Sequence, residues 1–200
     1  MSAHLPVSRD RSEFHHCIRY SVRYDDLDTY RHVNNKAFLS YIEDARVRYL
    51  VDAGGFRHHQ DRDTGETDGV MLVHSSIDYL AQIHPFETVD VFTRTARVGR
   101  SSITLHHLLI AHSPSPATGP RRGETTGPED TGPPKESGRP EESGLPEEQG
   151  FPKESGRPLE RIAAVSVTVL ASVDLRSGTS RPNDPAFVAR INAFESAGRP

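Results

Sequence analysis

Hydrophobic and polar positions alternate with period two from His16 to Tyr24, HCIRYSVRY. Ile18, Tyr20, Val22 and Tyr24 fall on one side, and Cys17, Arg19, Ser21 and Arg23 on the other. β-Branched and aromatic residues at that period predict a half-buried strand. From about Lys36 to Ala53 the period lengthens. Phe38, Tyr41, Ile42, Ala45 and Tyr49 recur at helical spacing, while Glu43, Asp44, Arg46 and Arg48 lie largely off the stripe. Asn34 or Asn35 suits the N-cap and Gly54-Gly55 the stop, so the helix runs about five turns, roughly 25 Å at 1.5 Å per residue. A polar loop is expected over 56–69, then strand-like runs at about 70–81, 87–98 and 101–112, with Gly99-Arg100 as a tight turn between the last two. The clearest alternation lies at 161–173, where Ala163, Val165, Val167, Val169, Ala171 and Val173 oppose Ser166, Thr168 and Ser172. Pro185 opens a segment striped by Phe187, Ile191 and Phe194, which predicts a short docked helix over 185–196. One strand, one long helix and four further strands predict an α+β fold, an antiparallel sheet wrapped round a single helix rather than a parallel βαβ repeat.

Residues 113–159 break this pattern. They hold 10 of the 15 Pro and 8 of the 15 Gly with almost no large apolar side chain, which explains the low overall hydrophobic content of 34%. Gly132, Gly138, Gly144, Gly150 and Gly156 recur every six residues, in step with Pro134 to Pro158 and Glu136 to Glu160, as a unit G-x-P-[EK]-E-[SQ]. A parallel β-helix needs an apolar residue to stack in every turn, and only Leu145 and Phe151 would serve. Proline in each unit also removes ladder donors. The expectation is a disordered, polyproline-like insertion before the last strand. The domain plan is thus an N-terminal tail at 1–15, one domain from 16–112 and 160–197, and the insertion at 113–159.

Charge and composition narrow the function classes. The net charge is −4, and no run of basic residues is large enough to neutralise a phosphate backbone, which argues against nucleic acid as a partner. The lone Cys17 cannot form an internal disulfide and suits a reducing compartment. No signal peptide or membrane span is apparent, so a cytoplasmic protein with no membrane partner is expected. The His pairs 15-16, 58-59 and 106-107 do not suggest a metal site, because adjacent residues of a strand point to opposite faces. No HExxH or Cys/His cluster is present.

The densest chemistry is YDDLDTYRHVNN, directly before the long helix. Asp28 closes a D-x-D, His32 follows four residues on, Asn34-Asn35 enter the helix, and Glu43 sits about two turns inside it. A helix N-terminus offers free N–H groups and a positive dipole end, which polarise a carbonyl and stabilise an oxyanion. A carboxylate beside it can activate water or attack the carbonyl carbon. The bland alternative is that Asp and Asn merely build the loop and cap the helix.

YDDLDTYRHVNNKAFLSYIEDARVRYL resembles the signature of the 4-hydroxybenzoyl-CoA thioesterase-like branch of the hotdog superfamily, and SSIDYLAQIHPFETVDVFTRTARVGRSSITLHHLLI resembles its strand pair with a G-[RK]-S-S hairpin. The likeness covers roughly 16–112 and 160–174. It implies a hotdog fold and an acyl-CoA thioesterase that hydrolyses an acyl-CoA to free acid and coenzyme A, with coenzyme A as part of the substrate and no cofactor. It also implies sites shared between subunits of a homodimer or homotetramer. By position, Asp28 matches the family's catalytic carboxylate, nucleophile or general base. Asn35 matches the residue whose backbone N–H polarises the thioester carbonyl, and His32 a histidine used by some relatives, notably plant acyl-carrier-protein thioesterases. Those relatives carry Asn where this chain has Tyr30, a departure from the full Asp/Asn/His set. Asn34 and Tyr41 are expected near the acyl group, with Ile42 and Ala45 along the same face. Arg100, Ser101 and Ser102 are expected at the nucleotide end of coenzyme A. The rival readings are a hotdog protein that binds acyl-CoA without cleaving it, an acyl-carrier-protein thioesterase, a hotdog dehydratase, whose usual His-centred motif is missing, and an interaction protein working through the repeat.

Overall fold

In the computed structural model the described residues are 6–56, 68–114 and 159–197; the hexapeptide repeat and most of the expected 56–69 loop lie outside them. Strands β1 (His16–Ser21), β2 (Asp68–Tyr79), β3 (Thr88–Val98), β4 (Ser102–His112) and β5 (Glu160–Asp174) form one antiparallel sheet in the order β1-β3-β4-β5-β2. Helix α1 (Asn35–Gly54) crosses one face, and α2 (Pro185–Ala197) packs near its C-terminal end. This is the hotdog arrangement. At 20 residues α1 spans about 30 Å.

Why α1 forms is read from its residues. Phe38, Tyr41, Ile42, Ala45 and Tyr49 are all buried, as the stripe requires. The Asn34 side chain accepts from the Ala37 amide at 2.9 Å, and Gly55, at φ 64°, ends the helix in the left-handed conformation that glycine adopts without steric cost. A Cβ on Gly54 would overlap the Phe187 ring, so this position also lets α2 close on α1.

The core has two apolar clusters along α1. One, under its N-terminal half, joins Val33, Phe38, Tyr41 and Ile42 to Val91, Leu109 and Ala164. The other, under its C-terminal half, joins Tyr49 and Leu50 to Ile103, Leu105, Leu170, Phe187 and Ile191. The opposite sheet face is covered in part by the N-terminal segment, where Phe14 and Val7 pack on Leu108, Ile110 and Val165. Part of the expected tail is therefore docked. Cover on both faces explains why β4 is buried at nearly every position, unlike β1, which alternates.

A polar layer lies between the two clusters. His107, with no exposed surface, reaches Thr93 Oγ1 at 3.1 Å through Nδ1 and Thr168 Oγ1 at 2.9 Å through Nε2, one nitrogen donating and the other accepting. Arg46 is buried nearby, although it lies largely off the apolar stripe. The reason is tertiary: β3, β4 and β5 place a hydrogen-bonded polar row under the helix instead of apolar side chains. Burial, then the positive charge of Arg46, pushes His107 down to about 3. Unfolded, an imidazole titrates near 6.5. The unfolded chain therefore takes up a proton between pH 6.5 and 3 that the folded chain refuses, and stability falls as pH falls through that window. We expect His107→Gln to melt lower than wild type at pH 7 but to lose less stability between pH 7 and 5, as thermal melts at stepped pH will read.

Candidate active site

The site is built where β1 gives way to a loop. A 3-10 turn at Tyr24–Asp26 ends the strand pattern early, so Tyr24, expected on the buried face, is 89% exposed. Asp26 is the peg of this turn. Its buried carboxylate accepts from the Tyr41 hydroxyl at 2.7 Å, the Arg23 amide at 2.9 Å and Arg23 Nη2 at 3.1 Å. Burial works to raise its pKa, but these bonds outweigh it and hold the carboxyl below the ordinary value. Tyr41, expected beside the acyl group, thus has its hydroxyl committed to Asp26 and its ring stacked on Tyr20 at 5.1 Å.

From Asp26 the chain folds back on itself. The Asn34 amide donates to the Asp26 carbonyl at 2.8 Å, Leu27 bridges Val33, and the Asp28 amide donates to the His32 carbonyl at 2.8 Å. This short ladder pairs Asp28 with His32, which lies two residues before the cap of α1. Arg31, at φ 61°, makes the left-handed turn that a non-glycine residue rarely adopts. Asp28 is exposed, and its Oδ1 accepts from the amides of Tyr30 at 2.8 Å and His32 at 3.1 Å. One oxygen therefore fixes the loop while the other is turned away from those amides. Asn34 caps the Ala37 amide, and the first helical amide–carbonyl bonds begin at Ala37 and Phe38, so the Asn35 and Lys36 amides stay open at the positive end of the helix. Asp28, His32, Asn34 and Asn35 are thus gathered at one place.

Arg100, Ser101 and Ser102 are elsewhere. They belong to the β3–β4 hairpin, which sits with the C-terminal cluster of α1 and so near the far end of the helix from Asp28 in the same chain. Asn183 holds that hairpin, donating from Nδ2 to the Gly99 carbonyl at 2.8 Å and from its amide to the Arg100 carbonyl at 2.8 Å. Between hairpin and α2 lies an open groove of about 890 Å³ lined by Arg97, Arg100, Val188 and Asn192.

One neighbour of the Asp28 loop carried no signal in the sequence. The Val33 amide donates to the Ile83 carbonyl at 2.9 Å, and the His84 ring stands edge-on to His32, centroids 4.9 Å apart at 84°. The β2–β3 loop thus forms a wall of the site. Among the described residues no group of three or more His, Cys, Asp or Glu is placed to hold a metal ion, and no helix is long and apolar enough to cross a membrane.

Comparison with known proteins gives the family and the fold. The model of the thioesterase-like superfamily matches residues 22–191. A thioesterase from Thermus thermophilus, solved in complex with coenzyme A and Zn, is 26% identical with a TM-score of 0.59, covering 94% of this chain and 98% of that one. The hypothetical protein SAV2348 from Staphylococcus aureus, solved in complex with CoA, shares the fold at 10% identity and a TM-score of 0.60, covering 92% of this chain and 85% of that one. The uncharacterized protein YsmA of Bacillus subtilis (strain 168) is 28% identical over 104 residues, which is 52% of this chain and 67% of that protein.

Proposed function

Because the chain belongs to the thioesterase-like superfamily, we propose that it is an acyl-CoA thioesterase whose reaction centre is Asp28 and the open start of α1. The observation that supports this reading is the ladder that pairs Asp28 with His32, two residues ahead of the cap and the open amides of α1. The thioester carbonyl oxygen takes the Asn35 N–H, which stabilises the negative charge that develops there. In the base route Asp28 takes a proton from water, the hydroxide adds to the carbonyl carbon, and the C–S bond breaks. The thiolate of coenzyme A leaves and is protonated, His32 being the nearest imidazole on the loop to supply that proton. In the nucleophile route the Asp28 oxygen adds to the carbon, the C–S bond breaks with loss of the thiolate of coenzyme A, and water then cleaves the resulting mixed anhydride. Label found in Asp28 after a single turnover in 18O-labelled water identifies the second route, with water opening the anhydride at the Asp28 carboxyl carbon.

Coenzyme A is the thiol we assign, supported by two fold relatives solved with it. Its nucleotide end is assigned to Arg100, Ser101 and Ser102, and its acyl end to the neighbourhood of Asn34 and Tyr41. Because the hairpin and Asp28 lie near opposite ends of α1, a shared site between two copies accommodates both assignments better than one chain does. Strand β2 supplies the surface for a second copy. It is a sheet edge with Met71, Leu72, Val73 and Tyr79 exposed along it. An edge this apolar invites pairing, and a two-fold axis through it continues the sheet into a partner. Val73→Lys should shift the protein to monomer in light scattering and lower turnover with it.

The test is a hydrolysis screen over short, long and aromatic acyl-CoAs and an acyl-carrier protein, with binding followed in parallel. Binding without product would favour the acyl-CoA binder, a reading that the Tyr30 departure supports, and carrier-protein preference would reassign the thiol.

A further inference from the structure

Residues 80–87, between β2 and β3, meet the Asp28 loop on two sides. The Ile83 carbonyl accepts from Val33, and the Glu87 carbonyl accepts from Val22 at 3.1 Å. Between these anchors His84 turns its ring toward His32. The piece that carries His84 is clamped. Its amide donates to Glu87 Oε2 at 2.9 Å, and that carboxylate, 2% exposed, is held by Arg161 Nη2 at 2.6 Å and Nη1 at 3.0 Å and by the Ser113 hydroxyl at 3.0 Å. Arg161 Nε also donates to the Gln82 carbonyl at 3.2 Å. Ile83 has no exposed surface, so the loop cannot tilt without opening the core. Phe86, at φ 66°, completes the turn in the left-handed region.

So much fixation around one imidazole has a use if the ring it touches must keep one orientation. An edge-to-face pair at this spacing and angle is the arrangement aromatic rings prefer, and it restricts rotation of the His32 ring. Asp28 holds the backbone of His32, accepting from its amide at 3.1 Å and donating to its carbonyl at 2.8 Å, and these bonds leave the ring to be oriented by its neighbours. We propose that His84 is a positioning residue for His32, and that the Glu87–Arg161 pair keeps His84 in place. The inference rests on the thioester-hydrolase reading, in which His32 serves the departing thiolate; His84 touches no reacting atom.

The test compares His84→Ala and His84→Phe in the full chain. With the alanine variant we expect kcat to fall about 10-fold with KM within about twofold, the signature of a misplaced group rather than lost binding. Phenylalanine keeps an aromatic edge and should recover kcat to within about threefold of wild type. The His32 ring resonances in 15N-edited spectra should move in the alanine variant and return toward wild type in the phenylalanine variant. A His32 resonance unmoved by His84→Ala, or kcat unchanged with it, overturns the proposal. If wild type hydrolyses no thioester, the hydrolase reading fails on its own, while the spectra still decide whether His84 holds the His32 ring.

Discussion

Asp28→Asn should lower turnover of the best acyl-CoA substrate by about 100-fold or more, the usual scale for losing an essential acid–base group. The substitution is informative because of how Asp28 is held. Its Oδ1 accepts two backbone amides, and an asparagine Oδ1 accepts the same two, so the loop keeps its shape. What disappears is the negative charge and the basic second oxygen. Melting temperature should therefore stay at the wild-type value while kcat collapses, measured by thiol release against a thermal melt of the same sample. Asp26→Asn should behave in the opposite way. Its carboxylate is buried against Tyr41 and Arg23, so the main effect expected is on folding. Wild-type turnover in Asp28→Asn would remove this carboxylate from the mechanism.

The second large effect is expected at Arg161. Replacing it with Met leaves Glu87 buried and ionised without its cation, and removing one partner of a buried pair costs about 3–5 kcal/mol. Urea denaturation at pH 7 measures it directly. The pH dependence adds a check with a definite sign. In wild type, burial alone would raise the Glu87 pKa, but the bonds from Arg161, the His84 amide and Ser113 outweigh it and hold the carboxyl below its ordinary value. Its contribution is then present above the unfolded value of about 4.3 and is lost as pH falls below it. Without Arg161 burial dominates and the carboxyl rises, so acid favours the folded variant. The gap between wild type and Arg161→Met should narrow as pH is lowered toward 4. Glu87→Met combined with Arg161→Met should restore most of the stability, since an apolar pair of similar volume carries no desolvation cost.

Much of the architecture was legible because local pattern and tertiary demand coincide. The stripe Phe38–Tyr49, the Asn34 cap and the glycine stop all describe one helix; the cap and stop bond to the helix's own backbone, and the stripe is the face the sheet covers. The strands were legible from alternation and turn residues, and Gly99–Ser101 does join β3 to β4. Arg46 was not legible, because its burial depends on His107, Thr93 and Thr168, which the sheet assembles from three strands. Nor does D-x-D reveal which aspartate is the peg; Tyr41, fifteen residues on, makes Asp26 the buried one. His84 and Glu87 sit in a loop without periodicity, and its shape depends on partners distant in sequence, among them Val33, Ser113 and Arg161.

At the base of the repeat the Ser113 amide reaches the Leu159 carbonyl at 2.9 Å, and Ser113 and Arg161 both grip Glu87. The two strands are therefore stapled before the intervening chain begins. A hexad added or deleted falls between the staples, and the closure cost of a connection grows by only about 0.6 kcal/mol for each doubling of its length. The two ends of the gap between Ser113 and Leu159 are thus held together by the described fold, which makes that gap the place to graft a fluorescent reporter.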